Sequence, residues 1–290
     1  PARRLDEGYR ERVATPDRVT SHAKHLAPEA ESSSVFETLA RAGYVANGLI
    51  HALIGIIVIV IASGGEGEGD QAGALKAVAG APVGFVVLWL IAIGLGALAL
   101  WHVSEGILAH DLSGDAKGAA RKWSRRLAEF GQAVVFLALG AISVAVALGA
   151  RPDSEKTAEG ASRSLLQTPG GAILLGLVGV AIGIGGVAFV VMGVRRSFRN
   201  RMRIPDGGMG RGFTALGIVG FIAKGVALLI VGVLLVIAAV RTDAETAGGL
   251  DGAIVALLAF PLGPPLAWVV GLGFLAYGVF TIPRARFARM

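Results

Sequence analysis

The chain has 290 residues, 54% of them apolar and 17% charged, with a mean hydropathy of +0.67. That balance excludes an ordinary water-soluble enzyme. A formal charge of +6 raises the question of where the basic residues sit, and zero cysteines exclude disulfides, thiolate zinc sites, iron–sulfur clusters and a cysteine nucleophile.

Residues 1–34 form a polar tail with six basic and six acidic side chains. It has too little apolar surface to fold alone and lacks the apolar core of a signal peptide, so it reads as a cytoplasmic tail before an uncleaved first span. Six apolar runs follow, at about 39–62, 84–109, 127–149, 171–194, 213–240 and 266–283. Each is long enough to cross a hydrocarbon layer of ~30 Å at about 1.5 Å per residue. The tail, 110–126, 195–211 and 284–290 together hold twenty Lys and Arg, whereas 64–82, 150–170 and 241–260 hold five. The positive-inside rule therefore predicts that both termini and the basic loops are cytoplasmic. The other loops carry Glu66, Glu68 and Asp70, then Asp153, Glu155 and Glu159, then Asp243, Glu245 and Asp251. Trp123 at an inner boundary, and Trp89 and Trp268 towards outer ones, fit interfacial anchoring.

The same pattern recurs three times: a Gly-rich span, an acidic loop, a short apolar stretch, a Pro-x-Gly turn and a span ending in basic residues. Pro82-Val83-Gly84, Pro169-Gly170-Gly171 and Pro261-Leu262-Gly263 mark the turn. The short stretches before it, Ala74 to Ala81, Leu165 to Thr168 and Ile254 to Phe260, predict interfacial half-helices. In the first spans, Gly43 to Gly48 with Gly55 aligns with Gly220 to Gly225 with Gly232, and the middle copy offers Gln132 and Gly140. The units are read as 35–120, 121–205 and 206–290. Each enters and leaves on one side, so the repeats are parallel. The predicted fold is an all-α membrane protein: six transmembrane helices from three parallel two-helix repeats, pseudo-threefold, with both termini inside. Glycines at packing intervals, such as Gly176, Gly179, Gly183 and Gly186, let helices approach closely in lipid.

The motif Ala40 to Gly48, three-fold repetition and Pro-x-Gly turns together resemble the bacterial integral membrane family called domain of unknown function 1206. The resemblance covers about 36–284 and departs at Glu129, which replaces an aromatic residue. It implies architecture only and no activity; the expected location is the bacterial cytoplasmic membrane.

Polar groups inside spans need a reason, and these are Asn47, His51, His102, Glu105, Glu129, Gln132 and Lys224. The repeat puts Asn47, Gln132 and Lys224 at one equivalent position. Two readings stand. Lining the central axis, they would form a polar layer for an anion or small solute; otherwise Lys224 snorkels to the interface and the amides bond neighbouring backbones. His51 and His102 lie at similar depth, which a b-type haem could use, although each is more simply a helix-to-helix hydrogen bonder. Glu105 follows His102 by three residues, so a local pair is expected. Arg195, Arg196, Arg199, Arg201 and Arg203 read as topology and anionic-headgroup contacts or as docking for an acidic partner. The run lacks interleaved stacking aromatics, so nucleic acid is discarded.

The sequence holds no phosphate loop, dinucleotide fingerprint, His-Glu-x-x-His or serine elbow, and an enzyme is not expected. Three function classes follow: an accessory or scaffold subunit binding lipids and other membrane proteins, a transporter or channel using the polar layer, and a haem- or quinone-linked electron-transfer subunit. No cofactor is predicted.

Overall fold

The computed structural model describes residues 34–108, 116–202 and 207–287. Residues 1–33 of the polar tail, His110 and Arg203 lie outside the described residues. The helices are α1 (Ser34–Ala62), α2 (Gln71–Ala79), α3 (Gly84–Leu108), α4 (Ala116–Ala147), α5 (Ser154–Leu166), α6 (Gly171–Val194), α7 (Gly208–Arg241), α8 (Leu250–Leu258) and α9 (Gly263–Phe287). Short 3₁₀ turns occupy Ser197–Arg201 and Ala244–Thr246. Six segments are long and apolar enough to span a membrane: Glu37–Ala62, Gly84–Leu108, Lys122–Ala147, Gly171–Val194, Gly208–Arg241 and Gly263–Arg286.

Helices α2, α5 and α8 precede the three Pro-x-Gly turns. At each turn the glycine N–H donates to the carbonyl three residues back: Gly84 to Ala81, Gly171 to Thr168 and Gly263 to Phe260, at 2.8, 3.0 and 2.8 Å. A Cβ on these glycines would sit 2.1, 1.7 and 2.5 Å from the carbonyl oxygens of Val78, Leu165 and Leu257, six residues back in every case. Only glycine fits that crossing of backbone on backbone. The middle half-helix differs from its expectation. It begins at Ser154, well before the apolar stretch, and its polar sequence is held as a helix by Asp153, whose side chain accepts from the Lys156 amide at 3.0 Å. An ion pair between Arg163 and Glu159 adds a helical i,i+4 link.

The spans pack by a cyclic rule. Each first span lies along the second span of the repeat before it: α4 on α3, α7 on α6, and α1 on α9. Within repeats, α1 also packs on α3 and α7 on α9, whereas α4 and α6 do not run along one another. The core is apolar and filled, with Ile50, Ile54 and Val58 of α1, Leu88, Leu95 and Leu98 of α3, Leu75 of α2 and Phe274 of α9 all buried.

Glycine sets the spacing of these crossings. A Cβ on Gly55 would lie 2.6 Å from the Gly271 oxygen, and one on Gly278 would lie 2.5 Å from the Gly48 oxygen. The α6–α7 crossing repeats this seven-residue step: a Cβ on Gly225 meets the Gly186 oxygen at 2.6 Å, and one on Gly232 meets the Gly179 oxygen at 2.7 Å. In α3–α4 the equivalent of Gly271 and Gly179 is Ala92, and a Cβ on Gly140 finds the Ala92 oxygen at 3.5 Å, an ordinary contact. In lipid, apolar side chains gain nothing by leaving one another, so close backbone approach supplies the attraction between helices.

Candidate functional site

Lys224 stands 16 residues after the start of α7 and 17 before its end, roughly 24 Å from either terminus. Its ammonium turns towards α1. Nζ lies 2.9 Å from Nε2 of His51 on α1. His51 is 3% exposed, and its Nδ1 is 2.8 Å from the Asn47 carbonyl one helical turn back. A carbonyl only accepts, so Nδ1 carries the imidazole proton and Nε2 accepts from Lys224. The Lys224 ammonium also lies over Tyr277 of α9 at 4.5 Å and Phe189 of α6 at 5.3 Å. Tyr277 and Phe274 flank the imidazole, with ring centroids 4.9 and 6.1 Å away. Four spans thus contribute to the surroundings of one half-buried cation. Among the described residues, no carboxylate lies within 4.0 Å of its nitrogen.

The structure brings Asn47, His51 and Lys224 together and leaves Gln132 apart. Gln132 is half-buried on α4, which packs along α3. His102 also faces α4: its Nδ1 is 2.7 Å from Glu129 Oε2, both groups are buried, and Phe136 stacks on the ring at 5.3 Å. The expected local pair with Glu105 does not form, because the Glu129 carboxylate arrives from the next helix and Glu105 turns to Arg125. The two imidazoles therefore look to different neighbours, His51 towards α7 and α9 and His102 towards α4, and do not face one haem-sized space. Glu129 stands where the other repeats carry Tyr44 and Phe221. That departure was visible in the sequence, and its partner was not.

At the acidic end, all three repeats meet. The Gly69 amide donates to Asp251 Oδ1 at 2.6 Å, joining the first repeat to the third. Burial, aided by Asp70, Glu68 and Asp153, pushes the Asp251 carboxyl above its usual range, against the pull of the Gly69 hydrogen bond. Burial and the charges of Asp251, Asp153, Glu159 and Asp70 push Glu155 up as well.

At the basic end, Arg196 and Arg199 open on a cavity of about 530 Å³ that they share with Arg211, Gly207, Gly210, Thr214, Ala215 and Ile218. Arg195 is exposed outside that lining, and the Arg201 side chain lies outside the described residues. Arg211 escaped the sequence reading because it sits beyond the Arg-rich run.

A family model described as Domain of Unknown Function (DUF1206) matches the chain over residues 42–109, 127–196 and 219–288. The chain belongs to this family. This DUF1206 protein is a multi-pass membrane protein built of three repeats, and its family carries no catalytic assignment. It is 27% identical over 284 residues to an uncharacterized protein, YxxB, of Bacillus subtilis (strain 168), an alignment covering 96% of the chain and 98% of the relative. No solved structure matches it.

Proposed function

We propose that this DUF1206 protein is a non-catalytic transport protein of the bacterial cytoplasmic membrane, with the Lys224–His51 pair as the midplane site for a small anion. One observation carries the reading: an intramembrane ammonium whose described partners are an imidazole lone pair and two aromatic faces, none of which neutralises its charge. An anion would neutralise it. The Lys and Arg distribution supports cytoplasmic termini and basic loops, and the cyclic pairing of spans supports a pseudo-threefold arrangement. The test is anion flux into proteoliposomes, using chloride, nitrate, phosphate and acetate in parallel. Lys224→Met should abolish the flux of the transported anion while the protein still reconstitutes, and equal flux in variant and wild type would overturn the reading.

A second reading, an accessory subunit binding lipids and other membrane proteins, is favoured by the exposure of the middle repeat. Only 17% of the apolar stretch of α6 and 33% of that of α4 is buried, against 56% for α3. These faces, with the polar tail, suit another membrane protein. Gentle-detergent purification followed by mass spectrometry tests it: a stoichiometric companion supports it, and a protein that purifies alone with full stability rejects it.

A further inference from the structure

We propose that the cavity among Arg196, Arg199 and Arg211 is a phosphate site filled by the headgroup of an anionic phospholipid. The proposal is independent of the transport reading, since it concerns the basic end of the spans and none of the residues around Lys224. Its frame is rigid. Phe198, between the two first arginines, is 3% exposed and packs against Phe221 and Phe280 at ring distances of 5.2 and 5.1 Å. That anchor holds the Ser197–Arg201 turn down and leaves the flanking Arg196 and Arg199 side chains exposed. Arg196 takes a left-handed backbone, φ 56°, a conformation that is unfavourable for a residue with a Cβ and persists only where the surroundings impose it. The cations are thus presented by a fixed turn, so little freedom is lost when they grip a ligand.

The charges lack an answer within the described residues. No carboxylate there lies within 4.0 Å of Arg196, Arg199 or Arg211. Arg211 is also in the first turn of α7, where the helix dipole disfavours a cation and favours an anion. Three guanidiniums around one cavity suit the oxygens of a phosphate, which they can grip in pairs. The rest of the lining separates a lipid from free phosphate. From Arg211 the cavity continues along α7 to Ala215 and Ile218, about 10 Å of helix that turns from basic to apolar. A phosphate on a glycerol with acyl chains matches both ends, whereas an inorganic ion matches one.

The test is titration of the detergent-solubilised full chain with dioctanoyl phosphatidylglycerol, dioctanoyl phosphatidylcholine or inorganic phosphate at constant ionic strength, read as the shift in thermal unfolding. The phosphatidylglycerol arm should raise the midpoint and the other two should not. The triple variant Arg196→Gln, Arg199→Gln, Arg211→Gln should bind phosphatidylglycerol roughly a hundredfold more weakly, from three cations at about 1 kcal/mol each. Arg195→Gln, which removes the same charge outside the lining, should leave binding unchanged. Ile218→Trp, which fills the apolar end without touching charge, should weaken phosphatidylglycerol selectively. Equal shifts with both lipids, or a triple variant that binds like wild type, overturns the site. A shift produced by inorganic phosphate alone overturns the lipid as its source.

Discussion

The outer two repeats and the middle one follow the same plan and pack differently. In the first repeat α1 crosses α3 where Gly43 meets Gly94, and a Cβ on Gly43 would lie 2.2 Å from the Gly94 oxygen. In the third, α7 crosses α9 at Gly220 and Gly273, where added Cβ atoms would lie 2.5 Å from the Tyr277 Cα and 2.1 Å from the Ala223 Cβ. The aligned residues of the middle repeat are Ala128 and Ala181, both exposed, and its two spans do not run along one another. A methyl group at each position removes the backbone-on-backbone crossing that the other repeats use. What the difference teaches is that repeated sequence fixes where helices begin and turn, while single small residues decide whether a repeat's own spans stay together.

The comparison can be broken most sharply at Gly43. Gly43→Ala should destabilise the protein by about 3 kcal/mol, since its methyl meets backbone that cannot rotate away, and thermal unfolding in detergent would show it. A wild-type midpoint would mean that the crossing is looser than described. Next comes Glu129→Ala, which leaves His102 buried without its carboxylate and should cost about 1–3 kcal/mol. Glu129→Gln, which keeps a hydrogen-bond acceptor, should recover part of it.

A smaller effect is expected where the three repeats meet. The folded state holds Glu155 and Asp251 above the usual carboxyl range, so it binds protons more tightly than the unfolded chain. Their contribution is therefore most favourable at low pH and is lost as pH rises from about 4 through the raised values. Asp153, held low by the Lys156 amide and ammonium, acts with the opposite sign, so the clean measurement is the stability of Glu155→Gln against wild type across that range. The variant should be the more stable at neutral pH, with the advantage vanishing on acidification. The smallest effect belongs to Ala181→Val, which should stay within about 0.5 kcal/mol because the position is exposed. A large loss there would show that α4 and α6 do meet.

Much of this architecture was legible in the residues. Apolar length placed the six spans, and Pro-x-Gly placed the turns because a buried crossing against a carbonyl leaves glycine no competitor. Other features were not readable. The α5 helix is polar and was hidden from a search for apolar stretches. Repeat alignment put Asn47, Gln132 and Lys224 at equivalent positions along their helices, but depth says nothing of which interface a side chain faces. Gln132 went with α4 to the far side of α3, and the imidazole that received Lys224 came from a residue with no counterpart in the other repeats. His102 chose Glu129, 27 residues away, over Glu105, three residues away, a choice made by tertiary packing.

The cyclic rule carries a consequence for how the molecule is made. The surface of α1 that bears Gly48 and Gly55 is completed by α9, which follows the other five described spans in chain order. Through translation of the four spans between, the first helix must wait in the bilayer or beside the insertion machinery with its main neighbour still unmade. Closure of the bundle then waits for α9, and a ribosome stalled before Gly263 leaves an open protein whose first groove is free to take the wrong helix.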